Sequence, residues 1–168
     1  NTMAPDFKAK NQFGKFIHLK SELQKGPVVV VFYRGEWCPY CNRYMSFFAD
    51  SVSYINELGA SVIAITPENN ENIKETMAKT KAGFSIIFDK DHQIMDDYQV
   101  TFQLCWSKNV IYNLVGININ KASGNRDRVL PVPATYIINQ EGEIIGSHFD
   151  EDYSNRMAVK NILEIIKR

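Results

Sequence analysis

Cysteine is scarce in this chain, with three in 168 residues. Three are too few for a disulfide scaffold, so the fold must rest on an ordinary apolar core. Neither sign of charge predominates: 19 Lys and Arg stand against 19 Asp and Glu. There is no basic block, which leaves out the electrostatic footprint of nucleic-acid or anionic-membrane binding. No apolar run approaches the ~20 residues that a spanning helix needs. No internal repeat or compositional break suggests a second domain. An initiator methionine is also missing: the chain opens at Asn1, which fits a processed leader or a truncation and leaves cytoplasm and periplasm both open. What is present is 45% apolar and 12% aromatic residues, enough for one globular domain, 1–168, with a substantial core.

The cysteines are not scattered. Cys38 and Cys41 close the stretch Arg34-Gly35-Glu36-Trp37-Cys38-Pro39-Tyr40-Cys41, which follows the apolar β-formers 28–33 and leads into a helical pattern over 42–58. Two cysteines separated by two residues at a strand-to-helix junction form a redox signature. Pro39 suits the first helical position, where no backbone donor is required. Cys38 then falls at the N-cap, where first-turn amides and the helix dipole favour its thiolate. Cys41 sits in the first turn, within reach of Cys38 once that sulfur is oxidised or has formed a mixed disulfide. Two other readings compete. A structural staple closing so short a loop would contribute only about 2 kcal/mol. A zinc half-site would need two more ligands, and Cys105, His18, His92 and His148 offer none at ligand spacing. Redox chemistry is the reading the spacing favours, with no metal and no cofactor. Cys105 is expected to be a buried or semi-buried thiol.

Along the chain, Pro5 punctuates an extended entry, and 11–15 reads as the turn of an N-terminal hairpin continuing into Phe16, Ile17 and Leu19. One helical turn over 21–25 is broken by Gly26-Pro27. The run 28–32 is uninterrupted and apolar, the mark of a strand buried on both faces. Tyr44, Phe47, Phe48, Val52, Ile55 and Leu58 then recur at helical intervals up to Gly59. A strand over 61–66 follows, stopped by Pro67, then a surface helix over 70–81 closed by Gly83, and a strand over 84–88. Asp89 leads into a short helix bearing Ile94, Met95 and Tyr98. Residues 101–130 read as an insertion, either covering the site or packing as a flap, with a polar loop over 118–127. A hairpin over 134–149 and a last helix from about Ser154 complete the chain. Such alternation predicts an α/β fold: a central mixed β-sheet with helices on both faces. His92 and His148 are expected at the surface or in turns.

Leu130-Pro131-Val132-Pro133-Ala134-Thr135-Tyr136 runs into the first strand of that hairpin. A cis Val132–Pro133 bond would hold a tight loop able to pair with an extended substrate; on composition alone a trans bond is favoured.

Phe32 to Cys41 and Val132 to Asn139 together resemble the thioredoxin-fold superfamily. The chain is most similar to the alkyl hydroperoxide reductase / thiol-specific antioxidant family, in its peroxiredoxin-like branch. Ala4-Pro5-Asp6-Phe7, the Gly14-Lys15 turn and Gly26-Pro27-Val28 carry the likeness across nearly the whole chain. It implies a thioredoxin-like fold, thiol redox catalysis, Pro133 in the place of the family's cis-proline, and a homodimer as one arrangement. The departures are specific. Peroxiredoxins carry P-x-x-x-T/S-x-x-C, and aligning on Cys41 puts Arg34 where proline is expected and Cys38 where threonine is expected. They also tend to have an arginine where Pro133 stands.

Two mechanisms follow. In disulfide exchange Cys38 attacks a substrate disulfide and Cys41 resolves the mixed disulfide. In peroxide reduction one cysteine becomes sulfenic acid and the other closes the disulfide. Either way the substrate is a peroxide or a disulfide, and the Cys38–Cys41 disulfide needs an external thiol reductant, thioredoxin-like or small. A non-catalytic redox-partner module is the reading from another class. Trp37, Pro39, Tyr40, Pro133 and Thr135 are supporting candidates. Arg34 would stabilise a thiolate or oxyanion, or merely be solvated on a turn. Glu36 would oppose the thiolate if turned inward, or handle the resolving proton.

Overall fold

A computed structural model describes residues 2–123 and 128–168. Its centre is β3, Val28–Phe32, whose five side chains are all buried. Strands β4 (Ser61–Thr66) and β5 (Ser85–Phe88) extend the sheet in parallel on one side. Strands β8 (Ala134–Ile138) and β9 (Ile144–Phe149) extend it antiparallel on the other, giving the order β5-β4-β3-β8-β9. Because successive side chains leave a strand on opposite faces, β3 feeds two cores. Val29 and Val31 meet Met45, Phe48 and Ile55 of α2 (Pro39–Glu57), Ile73 of α3 (Asn70–Thr80) and Ile162 of α7 (Val159–Ile166). Val28, Val30 and Phe32 meet Leu19 and Leu23 of α1 (Leu19–Leu23) and Ile94 and Met95 of α4 (Gln93–Asp97). The fold is the mixed α/β, thioredoxin-like arrangement that the sequence predicts.

The expected hairpin is present as β1 (Lys8–Lys10) and β2 (Phe16–His18). The segment that carries it also touches the main sheet twice. Gln12 donates its amide to the Ile86 carbonyl (2.9 Å), receives the Ile86 amide on Oε1 (2.7 Å) and donates Nε2 to the Phe84 carbonyl (2.8 Å). At the opposite margin Ala4 donates to the Gly142 carbonyl and Ile144 to that of Thr2, both at 2.9 Å. Helix α2 ends at Gly59, whose φ of 75° is the left-handed turn expected there. A Cβ on Gly26 would lie 1.8 Å from the Gly59 carbonyl oxygen, so the entry to β3 and the exit of α2 pass backbone against backbone.

Several boundaries differ from expectation. Helix α3 is closed by Lys81 in the left-handed region (φ 58°), two residues before Gly83. The insertion forms a small subassembly: β6 (Thr101–Gln103) pairs antiparallel with β7 (Val129–Pro131) around α5 (Trp106–Leu114) and α6 (Ile119–Ser123). The predicted loop over 118–127 is therefore helical in its first half, because Ile119 and Ala122 bury their side chains and the Ser123 hydroxyl donates back to the Ile119 carbonyl; its residues 124–127 lie outside the described residues. The last helix begins at Val159, not near Ser154: the Asp150 and Asp152 carboxylates accept the amides of Asp152 and Ser154 and tie that stretch into turns. Cys105 is exposed at the N-cap of α5, against the burial expected of it. His92 is buried in a left-handed turn before α4, not at the surface, and His148 is half-buried.

Candidate redox site

The site is built where β3 runs out beneath the start of α2. After Phe32 the chain stays tethered to the sheet through Tyr33, whose amide donates to the Ile65 carbonyl at 3.1 Å. A turn closed by the Cys38 amide on the Gly35 carbonyl (3.1 Å) then delivers Cys38 to the N-cap and Pro39 to the first helical position, as the sequence predicts. Asn42 secures the turn by donating Nδ2 to the Glu36 carbonyl at 2.6 Å.

Both sulfurs are free thiols, Cys38 at 3% and Cys41 at 1% exposure. Their acidities diverge. Cys38 is pushed down to about 6, chiefly by the hydrogen bond from the Cys41 thiol; burial opposes, and the Cys41 amide, Arg34 and Arg156 assist. Cys41 is pushed up by burial and by the hydrogen bond it gives away. The Cys38 side chain closes no regular capping bond, so the thiol neighbour contributes more than the sequence argument from first-turn amides allows.

Arg34 is only 5% exposed. Its guanidinium carbon lies 5.6, 5.7 and 5.0 Å from the ring centres of Trp37, Phe102 and Tyr153, and Nη2 donates to the Tyr112 hydroxyl at 3.3 Å. Nε is buried without a partner, and no carboxylate pairs with the group among the described residues. The turn arginine is thus a caged cation, not a solvated one.

Glu36 points away from the sulfurs and pairs with Lys79 of α3. Its amide instead donates to Glu68 Oε2 at 2.9 Å. Trp37 packs edge-on to Tyr112 (5.5 Å) and against the α2-side core, and Tyr40, half exposed, meets Tyr153 edge-on at 5.4 Å. Thr135 is buried and shares a 3.1 Å hydrogen bond with the Tyr44 hydroxyl, which donates to the Met157 carbonyl at 2.8 Å. No peptide bond is cis among the described residues, so the Val132–Pro133 bond is trans, as composition favours and the family likeness does not. Pro133 with Val132 walls a cleft of about 630 Å³ that Arg34, Phe102, Leu104, Lys108, Ile111, Tyr112, Glu151 and Tyr153 complete. The insertion thus reaches the motif through Phe102 and Tyr112, which meet Arg34 and Trp37, and packs its own small core, while neither cysteine lines the cleft.

Three residues that bear on the site carry no local sequence signal. Glu68, 1% exposed, sits under the Gly35–Trp37 loop; burial pushes its carboxyl up to about 8 against the pull of the Glu36 amide. Tyr112 and Arg156 come from the insertion and from the turns before α7, and Arg156 donates Nη2 to Cys41 Sγ at 3.5 Å.

Comparison with known proteins gives a consistent picture. The AhpC/TSA family model matches residues 1–147. A chloroplastic peroxiredoxin Q from Suaeda salsa is 31% identical over 103 residues, 61% of this chain and 48% of that protein. The thiol-disulfide oxidoreductase ResA of Bacillus subtilis is 24% identical over 143 residues, 84% of this chain and 63% of that one. The chain spans about half the length of the peroxiredoxin Q relatives it matches. Among solved structures, peroxidoxin BcpB from Mycobacterium tuberculosis superposes with a TM-score of 0.76 at 16% identity, covering 99% of this chain and 94% of that one. A yeast mitochondrial 1-Cys peroxiredoxin, studied for thiol resolution via glutathione/thioredoxin systems, also gives 0.76 at 16% identity, covering 99% and 74%.

Proposed function

We propose that this chain, which belongs to the AhpC/TSA family, is a single-domain thiol-dependent peroxidase over residues 1–168 in which Cys38 attacks and Cys41 resolves. The observation that carries the assignment is the divergence of the two buried thiols: Cys38, at the N-cap position of α2, receives the hydrogen bond from Cys41 and has its acidity raised, while Cys41, which gives that bond, has its acidity lowered. The Cys38 thiolate attacks the distal oxygen of a hydroperoxide. The O–O bond breaks, the alkoxide leaves as alcohol with a proton, and Cys38 becomes sulfenic acid. Cys41 then attacks the Cys38 sulfur, its proton joins the departing hydroxide as water, and the disulfide forms. An external thioredoxin-like dithiol, or two small thiols, returns both sulfurs to the reduced state. The largely apolar cleft that Arg34, Phe102, Tyr112 and Pro133 line beside the motif supports an organic hydroperoxide as the substrate class, with the guanidinium available to charge that develops on oxygen.

Disulfide exchange is the second reading, supported by the two-residue cysteine spacing and the ResA match. Single-turnover oxidation of the reduced protein by an alkyl hydroperoxide, read by thiol mass spectrometry beside Cys38→Ser and Cys41→Ser, decides between them. We expect sulfenic acid on Cys38 in the Cys41→Ser protein, and an attack rate that rises with pH around 6, where Cys38 ionises. Slow oxidation with rapid exchange against a disulfide through Cys38 would establish the second reading instead. Sulfenic acid on Cys41 would reverse the roles.

A further inference from the structure

The two-thiol scheme leaves unexplained how a sulfur as buried as Cys41 becomes a nucleophile. In the reduced pair Cys41 keeps its proton and shares it with the Cys38 thiolate. Once Cys38 carries an oxygen or a second sulfur, that acceptor is gone. Cys41 must then develop negative charge at 1% exposure, where water cannot solvate it.

Arg156 is placed to meet that charge. It arrives from the turns between β9 and α7, donates Nη2 to Cys41 Sγ at 3.5 Å, and lays its guanidinium 5.6 Å from the Tyr44 ring centre. Its Nε is buried with no partner, and it joins no ion pair among the described residues. The backbone beside it is pinned, because the Tyr44 hydroxyl donates to the Met157 carbonyl and is itself bound by Thr135. A cation without a carboxylate, anchored at its neighbour and aimed at a sulfur, is the arrangement that stabilises a thiolate.

We propose that Arg156 is a catalytic residue of the resolving step, holding Cys41 Sγ in position and stabilising its thiolate while the Cys38–Cys41 bond forms. This rests on the assignment of Cys38 as the attacking and Cys41 as the resolving thiol. As the S–S bond forms, the S–O bond of the Cys38 sulfenic acid breaks, and the Cys41 proton leaves with the hydroxide as water. Arg156 keeps its protons throughout. Among the described residues, the titratable groups facing Cys41 are Cys38 at the N-cap of its helix, Arg156, and the buried Tyr33 hydroxyl just past β3.

The test uses Arg156→Met, Arg156→Gln and Arg156→Lys. In the two-thiol protein at pH 8, well above the value near 6 at which Cys38 ionises and to which Arg156 also contributes, we expect Met and Gln to slow disulfide closure about ten- to a hundredfold, the range of one hydrogen bond to a charged group, and by more than they slow sulfenic acid formation, so that sulfenic acid on Cys38 accumulates for dimedone capture. Lys, which keeps the charge, should restore most of the closure rate. In a Cys38→Ser/Cys105→Ser background, where Cys41 is the remaining thiol, ultraviolet thiolate absorbance should show its titration moved upward by Met and Gln and held by Lys. Unchanged closure and an unmoved Cys41 titration in the Gln variant would overturn the proposal. If wild type forms no sulfenic acid on Cys38, the peroxidase reading fails separately, and the Cys41 titration still decides the role of Arg156.

Discussion

Glu68 gives the sharpest handle on the site. Its carboxyl is 1% exposed, carries the loop that precedes Cys38 by accepting the Glu36 amide, and is pushed up to about 8 from an ordinary 4.5. The folded protein therefore holds a proton that the unfolded chain releases between those two values. In that interval stability falls as pH rises, by about 1.4 kcal/mol per pH unit from this group alone. The contribution is complete below about pH 4.5 and lost by about pH 8, a total of about 5 kcal/mol. Glu68→Gln keeps the acceptor for the Glu36 amide and removes the titration. The variant should match wild type near pH 4, exceed it by about 3 kcal/mol near pH 7, and level off at about 5 kcal/mol above pH 8, a large part of a typical domain's stability. Urea unfolding of both reduced proteins across that range measures the gap directly, and slopes from other groups cancel in the comparison. Two curves that stay parallel would show that Glu68 ionises normally in the fold, and would refute the reasoning.

Two further substitutions probe the neighbouring residues. Arg34→Met replaces a caged cation with an apolar chain among Trp37, Phe102 and Tyr153. Alkylation of Cys38 near pH 6 should slow about three- to tenfold as its acidity weakens, while urea stability holds or rises because an unpaired buried charge is gone; an unmoved alkylation profile would remove Arg34 from the thiolate's support. Gly35→Ala places a Cβ 2.4 Å from Glu68 Oε1 and 2.5 Å from Trp37 Nε1. It should destabilise by about 1–3 kcal/mol through overpacking, and a loss under about 0.5 kcal/mol would mean that the loop shifts freely.

What could be read without coordinates was local. The all-apolar run at Val28–Phe32 announces a strand buried on both faces, and Cys38-Pro39 announces an N-cap followed by a first helical residue, because each signal is complete within a few positions. The caging of Arg34 could not be read that way, since Phe102, Tyr112 and Tyr153 belong to the insertion and to the turns before α7. Arg156 lies 115 positions from the sulfur it touches. Glu68 follows Pro67 in what reads as an ordinary strand-to-helix turn, and only the fold buries it under the redox loop. Composition misjudged Cys105 in the opposite direction: cysteine is usually interior, but a helix N-cap on an excursion from the sheet faces solvent.

The hydrogen bonds of the first twelve residues reach past the hairpin they build. A five-stranded open sheet has two margins, β5 and β9, each with backbone donors and acceptors directed at whatever strand comes next. Gln12 occupies those of β5 from Phe84 to Ile86, and Thr2 with Ala4 occupies those where β9 begins. One short leading segment thus takes up backbone groups at both margins of the sheet, groups that an added strand would otherwise pair with, and at β9 it does so only where that strand begins.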